Sequence, residues 1–214
     1  MLTNFRQDLQ TKIHQSGLLG ASRWLIQYLA SVPYEHIAFV VCVRSLQEPL
    51  PTARPRIPVV MRLTTEADLP RFRDIVLPSE YRHFVRRFAH GRLCFLAFPE
   101  KNSEELVSYC WATTKIDPDI DALILDLPPG SAYVDDAYTV PAYRRQGIQT
   151  AVHLFRLQHM QTLGCKRAIL IVDVKNRASQ ALVRKLGYRE VGQASFLRIM
   201  RTIVTPLTVV LSEE

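Results

Sequence analysis

The chain has 214 residues, 48% hydrophobic and 22% charged, with 27 Lys+Arg against 20 Asp+Glu for a formal net charge of +7. That length holds one well-buried core with appendages and is short for two, and the composition excludes wholesale disorder. The positive balance favours anionic partners such as phosphorylated cofactors, acidic carrier proteins, anionic lipid or nucleic acid, without choosing among them.

No apolar run reaches the ~18–20 residues of a spanning helix and no N-terminal stretch has the pattern of a signal peptide, so a cytoplasmic protein is expected. Cys42, Cys94, Cys110 and Cys165 form no CxxC and no pairing with nearby histidines, which predicts buried thiols in a reducing compartment. The histidines form no HxxxH or HExxH pattern, so no metal is expected.

Residues 1–55 read as an N-terminal extension: a polar helical start, "GLLGASRWLIQYLASV", the strand-like "HIAFVVCV", and the proline-broken linker "EPLPTARPRIP". In the apolar piece Leu18, Leu19, Trp24, Leu25, Tyr28 and Leu29 recur at helical spacing, which suits packing against the main domain. Peripheral membrane contact through residues 17–32 is the less favoured reading, because only Arg23 supplies basic charge there. The boundary falls near residue 56, giving a main domain over 56–200 and a C-terminal tail over 201–214.

From Ile57 onward short β-type and helical segments alternate. "IPVVMRL" is a strand, "TTEADLPRFRDIV" a helix entered at a threonine, and "SEYRHFVRRFA" a second helix with Phe84, Val85 and Phe88 as its apolar side. "RLCFLAF", "ELVSYCWATT" and "SAYVDDAYTV" are strands, followed by a long helix from about Ile148 to Leu163 and the apolar strand "AILIVDV". "RASQALVRKLG" is a helix ended by Gly187, and "SFLRIMRTI" is a last strand. The order predicts a mixed sheet covered by helices, an α/β architecture. Arg82, Arg86 and Arg87 flank apolar residues at helical spacing and read as a solvated face, and no nucleic-acid signature accompanies them, so no nucleic acid is expected.

The stretch that carries chemistry is "AYVDDAYTVPAYRRQGIQTAVHLFRLQ". A backbone that leaves a strand and enters a helix through a glycine turn aims unpaired N–H groups at one point, and the helix dipole adds positive potential there. Gly147 lets the main chain approach a ligand, Thr150 offers a hydroxyl, and Arg144 and Arg145 add charge, all suited to phosphate. The loop is neither a P-loop nor a GxGxxG turn, and alone it is weak evidence.

"DDAYTVPAYRRQGIQTAV" resembles the signature of the GNAT superfamily of acyl-CoA-dependent N-acetyltransferases, and "VDVKNRASQALVRKLGYREVG" is similar to that family's second motif. The likeness covers roughly residues 57 to 200, with "MRLTTEADLP" resembling the usual opening. It implies a mixed, mostly antiparallel sheet of about seven strands flanked by helices, with the N-terminal helix/strand segment as an addition. It implies a transferase using acetyl-CoA or another acyl-CoA, with no metal, and a small-molecule or peptide amine as acceptor. Pantetheine would pair with the splayed strand at Ala137, Tyr138, Thr139 and Val140. The diphosphate would sit on the main chain of Arg145, Gln146, Gly147, Ile148, Gln149 and Thr150, beside Arg144, with Asn176 against the pantetheine arm. An acyl carrier protein as donor, and a non-catalytic module of the same fold, are the alternatives.

The amine attacks the thioester directly, so a proton acceptor is needed near the splayed strand. Strand alternation puts Tyr133, Asp135 and Ala137 on one face and Val134, Asp136 and Tyr138 on the other, so only one aspartate should face the acceptor. By position Asp135 matches a catalytic acid of some relatives and is the preferred base, with Asp136 second; the alternative is that both only orient backbone or neutralise arginines. Two departures stand out. Val183 holds the place of the family's tyrosine acid, leaving Tyr138, Tyr143 or solvent to protonate the leaving thiolate, while Tyr188 reads as packing. Gln149 stands where relatives carry Gly or Ala; its amide is expected beside the diphosphate, where its removal would leave CoA affinity equal or better.

Overall fold

The structure is a computed structural model that describes residues 34–117 and 127–199, together with 13, 18–23, 26, 120, 125, 202–203 and 208–211. The polar helical start and most of the 17–32 segment lie outside the described residues. Among the described residues no helix is long and apolar enough to cross a membrane. The chain divides into two compact units, Met1–Ile37 with Phe196–Thr205, and Ala38–Ser195 with Pro206–Glu214.

In chain order the strands are β1 (Tyr34–Ser45), β2 (Val59–Leu63), β3 (Leu93–Pro99), β4 (Ser108–Thr113), β5 (Ser131–Thr139), β6 (Arg167–Asp173), β7 (Arg189–Ile199), β8 (Thr202–Ile203) and β9 (Thr208–Leu211). The helices are α1 (Pro78–Ala89), α2 (Ile148–Thr162) and α3 (Arg177–Lys185), with 3-10 turns at Glu66–Asp74 and Pro141–Tyr143. The sheet order is β2-β3-β4-β5-β6-β1-β7-β8, with β9 also on β7. The β5–β6 ladder is parallel, while β1–β6, β2–β3, β3–β4 and β4–β5 are antiparallel. The strand "HIAFVVCV", expected in an N-terminal extension, is thus an interior strand, paired with β6 from Phe39↔Asp173 to Ser45↔Arg167. The last strand starts at Arg189, earlier than its apolar stretch suggests, and β8 and β9 carry the count past seven.

The two faces of the sheet bury separate cores. On β3 and β4, Phe95, Ala97, Cys110 and Ala112 point into a cluster with Val152, Leu157 and Met160 of α2. Their neighbours Cys94, Leu96, Phe98, Tyr109 and Trp111 meet Phe72 and Phe84 on the other face. Burial on both faces is why these strands read as unbroken apolar runs. All four cysteines are buried free thiols, as expected.

The segment after Thr65 is a 3-10 helix, because Pro70 within it lacks the N–H and crowds the preceding turn of an α-helix. Its entry is fixed by Asp68, which accepts from the Thr65 N–H at 2.8 Å and hydroxyl at 2.9 Å and pairs with Arg62. Burial alone would raise the Asp68 carboxyl, but the bonds from Arg62 and Thr65 outweigh it and bring the pKa down to about 2. Gly187 ends α3 as expected: at φ +78° it lets its own N–H reach Arg184 O and the Tyr188 N–H reach Val183 O.

Candidate functional site

The site begins with a bulge in β5. Tyr109 pairs with Tyr138 and Trp111 with Asp135, so β5 spends one more residue than β4 between these pairs, and Asp136 takes φ +38°. Aspartate is among the residues that tolerate that left-handed backbone. Two consequences follow. β5 pairs with β6 only over Ser131–Tyr133, after which the two strands part. The inserted residue also resets alternation, so Tyr138 stacks on Tyr109 at 5.7 Å, on the α1 face that Asp135 also meets.

The expectation that a single aspartate faces the acceptor side is therefore corrected. Arg87 of α1 donates to Asp136 Oδ2 at 2.7 Å and to Asp135 Oδ2 at 2.9 Å, holding both carboxylates on one side. Asp135 also pairs with buried Arg92 at 3.1 Å, and its side chain is only 14% exposed. It neutralises two arginines. Asp136 has 36% side-chain exposure and lies with Glu80, His83, Phe84, Arg87 and Tyr109 around an opening of about 420 Å³. Burial raises the Asp136 carboxyl above its ordinary range and Asp135's charge adds to that, against the opposing pull of Arg87. Between them the geometry favours Asp136 as the group able to accept a proton.

Of the residues on α1, Phe84 lines this opening, whereas Tyr81 and Phe88 pack half-buried against the core and Arg82 is exposed. Arg87 does not belong to the solvated face assigned to it. It is buried, with its guanidinium 5.5 Å from the Trp111 ring.

Beneath the bulge Arg156 of α2, 1% exposed, donates to Trp111 O at 2.7 Å and Asp135 O at 3.0 Å, bracing the two strands from the opposite face. Its second nitrogen meets His153 Nδ1 at 3.0 Å. Burial, then the nearby arginine charges, hold the His153 pKa well below its usual value, so the neutral ring accepts from Arg156 and its other nitrogen pairs with the Tyr188 hydroxyl at 2.9 Å. Tyr188 is a packing residue, as the sequence suggested, and Val183 is buried in the core.

Where β5 and β6 part, a cleft of about 630 Å³ opens. It is lined by Ala137, Tyr138, Thr139, Tyr143, Arg144, Arg145, Gly147, Ile148, Gln149, Thr150 and Asn176, with Ala178, Ser179 and Leu182 of α3. Ten of the twelve residues expected at a donor site are thereby brought together. The other two are not among the lining: the Val140 N–H is spent on Val107 O at 2.9 Å, and the Gln146 carbonyl accepts from Arg56 N at 2.8 Å. That last bond fastens the proline-rich linker to the loop.

Gly147 is the N-cap of α2 at φ +80°, and Arg145 before it is also left-handed at φ +61°. This backbone turns the first N–H groups of α2, which no earlier turn can satisfy, toward the cleft. Arg144 folds back, its Nε donating to Thr139 O at 3.0 Å with its guanidinium 5.6 Å from the Tyr138 ring. Asn176 caps α3, accepting from Ser179 N at 3.0 Å. The Tyr143 hydroxyl donates to Glu105 at 2.8 Å. Gln149 sits on the first turn of α2 as expected, but its carbonyl oxygen accepts from Thr139 Oγ1 at 2.6 Å, so the side chain turns toward β5.

Sequence reasoning missed Arg87 and Arg156, although both carried a signal. Arg87 follows Phe84 by three residues and Arg156 follows Val152 by four, so each lies on the apolar stripe of its helix. A cation in such a stripe implies buried partners. Glu80, His83 and Tyr109 gave no comparable sign.

No curated protein matches the sequence. Solved structures similar to the chain include a GCN5-related N-acetyltransferase from Sphaerobacter thermophilus (16% identity, TM-score 0.57, covering 92% of this chain and 60% of that one). A GNAT-family protein from Novosphingobium aromaticivorans (14%, 0.52, 77% and 64%) and a Drosophila protein (11%, 0.57, 87% and 58%) are also similar. At such identities the likeness shows the fold alone, and the chain spans less than two thirds of the length of each. Residues 61–188, more than half of the chain, match the acetyltransferase (GNAT) family, and the protein belongs to that family.

Proposed function

We propose that the protein transfers an acetyl or other acyl group from acyl-CoA to an amine by direct attack, with Asp136 as the base. The observation that carries this reading is the β5 bulge, which joins a strand edge released from β6 to the opening around Asp136. An extended, amide-bearing arm can add to such an edge as a peptide strand does, and the turn at Gly147 suits the diphosphate at its far end. Gln149, turned toward Thr139, leaves the first turn of α2 clear, which favours CoA over a carrier protein's single phosphate.

Glu80 and Asp136 place two carboxylates at the acceptor opening, which suits a cationic amine. Asp136 takes a proton from the ammonium, which frees the nitrogen lone pair to attack the thioester carbonyl carbon; the C–S bond then breaks to release a thiolate, and the nitrogen's second proton leaves to solvent. Backbone N–H groups on the freed edge of β5 would meet the developing oxyanion. With Tyr143 bonded to Glu105 and Val183 buried, Tyr138 or solvent protonates the thiolate, which as a weak base needs little help to leave.

Titration with CoA, acetyl-CoA and an acyl carrier protein, followed by calorimetry and thermal melting, tests the donor. A single site for either CoA form is expected, with stabilisation of about 2.7 kcal/mol at a hundredfold excess over Kd. Stabilisation by the carrier protein alone would replace CoA as donor. No response to any of the three would remove the transferase reading.

A further inference from the structure

The group left over at the acceptor opening is the Tyr109 hydroxyl. Tyr109 projects from β4 to the α1 face, is only 5% exposed, and lines the opening beside Asp136 and Glu80. Its ring is fixed by edge contacts with Phe72 at 5.7 Å and Phe84 at 5.1 Å and by the stack on Tyr138 at 5.7 Å. Among the described residues the hydroxyl has no hydrogen-bond partner, and it is not sealed off from solvent. A tyrosine buried this far ordinarily finds a partner for its hydroxyl within the protein. Here the ring is held and the hydroxyl is left to a ligand.

The surroundings decide which kind of ligand. Arg87 at the opening is spent on the two aspartates, while Asp136 and Glu80 each engage one carboxylate oxygen, with Arg87 and the Leu77 N–H respectively, and keep the other. Burial, then the charges of Asp136 and Glu80, hold the Tyr109 phenol well above its ordinary pKa, so it stays protonated at any working pH. An anionic group would be repelled here, whereas an ammonium meets three acceptor oxygens. We propose that Tyr109 is a binding residue for the acceptor, its hydroxyl oxygen accepting an N–H of the reacting amine while Asp136 takes the proton that frees the lone pair. This rests on the acyl-transfer reading above and deepens it. Tyr138, on the other side of the stack, lines the donor cleft, so the two rings stand at the seam between donor and acceptor, with Tyr109 on the acceptor side. As a neutral phenol it orients the nitrogen without competing for its proton.

Tyr109→Phe removes one oxygen and keeps the ring packing. Wild type and variant are assayed by thiol release from acetyl-CoA with a panel of primary amines, n-butylamine and putrescine among them. The expected result is a rise of about tenfold in amine KM, with acetyl-CoA affinity by calorimetry and the acid limb of the pH–rate profile both unchanged. An unchanged amine KM and kcat overturns the inference alone. A fall in kcat at constant KM also overturns it, and assigns the hydroxyl to the leaving thiolate or the oxyanion instead. Should the variant fold poorly, a crystal of the wild type soaked with an accepted amine decides, and a nitrogen beyond hydrogen-bond reach of Tyr109 Oη overturns the inference. A wild type that binds acetyl-CoA but acylates no member of the panel overturns the acyl-transfer reading and this inference with it.

Discussion

Asp136→Asn is expected to lower kcat/KM on an accepted amine by about 10²–10⁴-fold while leaving acetyl-CoA affinity within about twofold, as removal of a general base does. The size follows from position. Asp136 borders the opening shared with Glu80 and Tyr109, pairs with Arg87 alone among the described arginines and keeps more exposure than Asp135. Burial raises its pKa, with Asp135 adding to the effect and Arg87 opposing it. The base must be ionised to act, so activity is present above that raised pKa and is lost as pH falls through it. The acid limb of the pH–rate profile therefore lies above the pH at which an ordinary aspartate titrates, and the Asn variant loses that limb. Asp135→Asn differs in kind: Arg87 and Arg92 are left buried with less counter-charge, so the loss appears first in stability. An Asp136→Asn enzyme with full turnover and an unchanged pH profile would remove Asp136 as base.

Gly147→Val should reduce acetyl-CoA affinity at least about tenfold, read by calorimetry, with a few degrees of lost melting temperature. At φ +80° a branched side chain carries a backbone penalty of about 1–2 kcal/mol. A Cβ there would stand in ordinary contact with Pro55 Cα at 3.4 Å and Arg54 O at 3.7 Å, so the strain is that of the left-handed backbone, and it is relieved only if the loop changes conformation. Any shift moves the first N–H groups of α2 off a bound phosphate. Wild-type affinity in a folded Gly147→Val variant would mean that this turn holds no diphosphate.

The loop was legible in the sequence because its physics is local. A strand ending at Pro141, two arginines, one glycine and an amphipathic helix specify a turn with open N–H groups wherever they occur together. Gly187 as a helix stop and the doubly buried β3 and β4 were readable for the same reason. The bulge was not. Period-two alternation describes an unbroken ladder, and nothing in "YVDDAYT" marks where one residue is inserted, so Asp136 and Tyr138 were assigned to the wrong face. The place of β1 between β6 and β7 is a long-range pairing with no local signature. Pro70 is the one local mark of the departure from an α-helix after Thr65. The buried arginines were visible as cations on apolar stripes, but their carboxylate and carbonyl partners lie far away in sequence.

The central claim is that the parting of β5 from β6 makes the donor's place, and a crystal structure with bound CoA tests it most directly. The account predicts the pantetheine arm paired along Ala137–Thr139, its sulfur at the end toward Asp136, and its diphosphate on the main chain at Gly147–Thr150. CoA seated elsewhere, or a cleft that stays empty at saturating CoA, would contradict it.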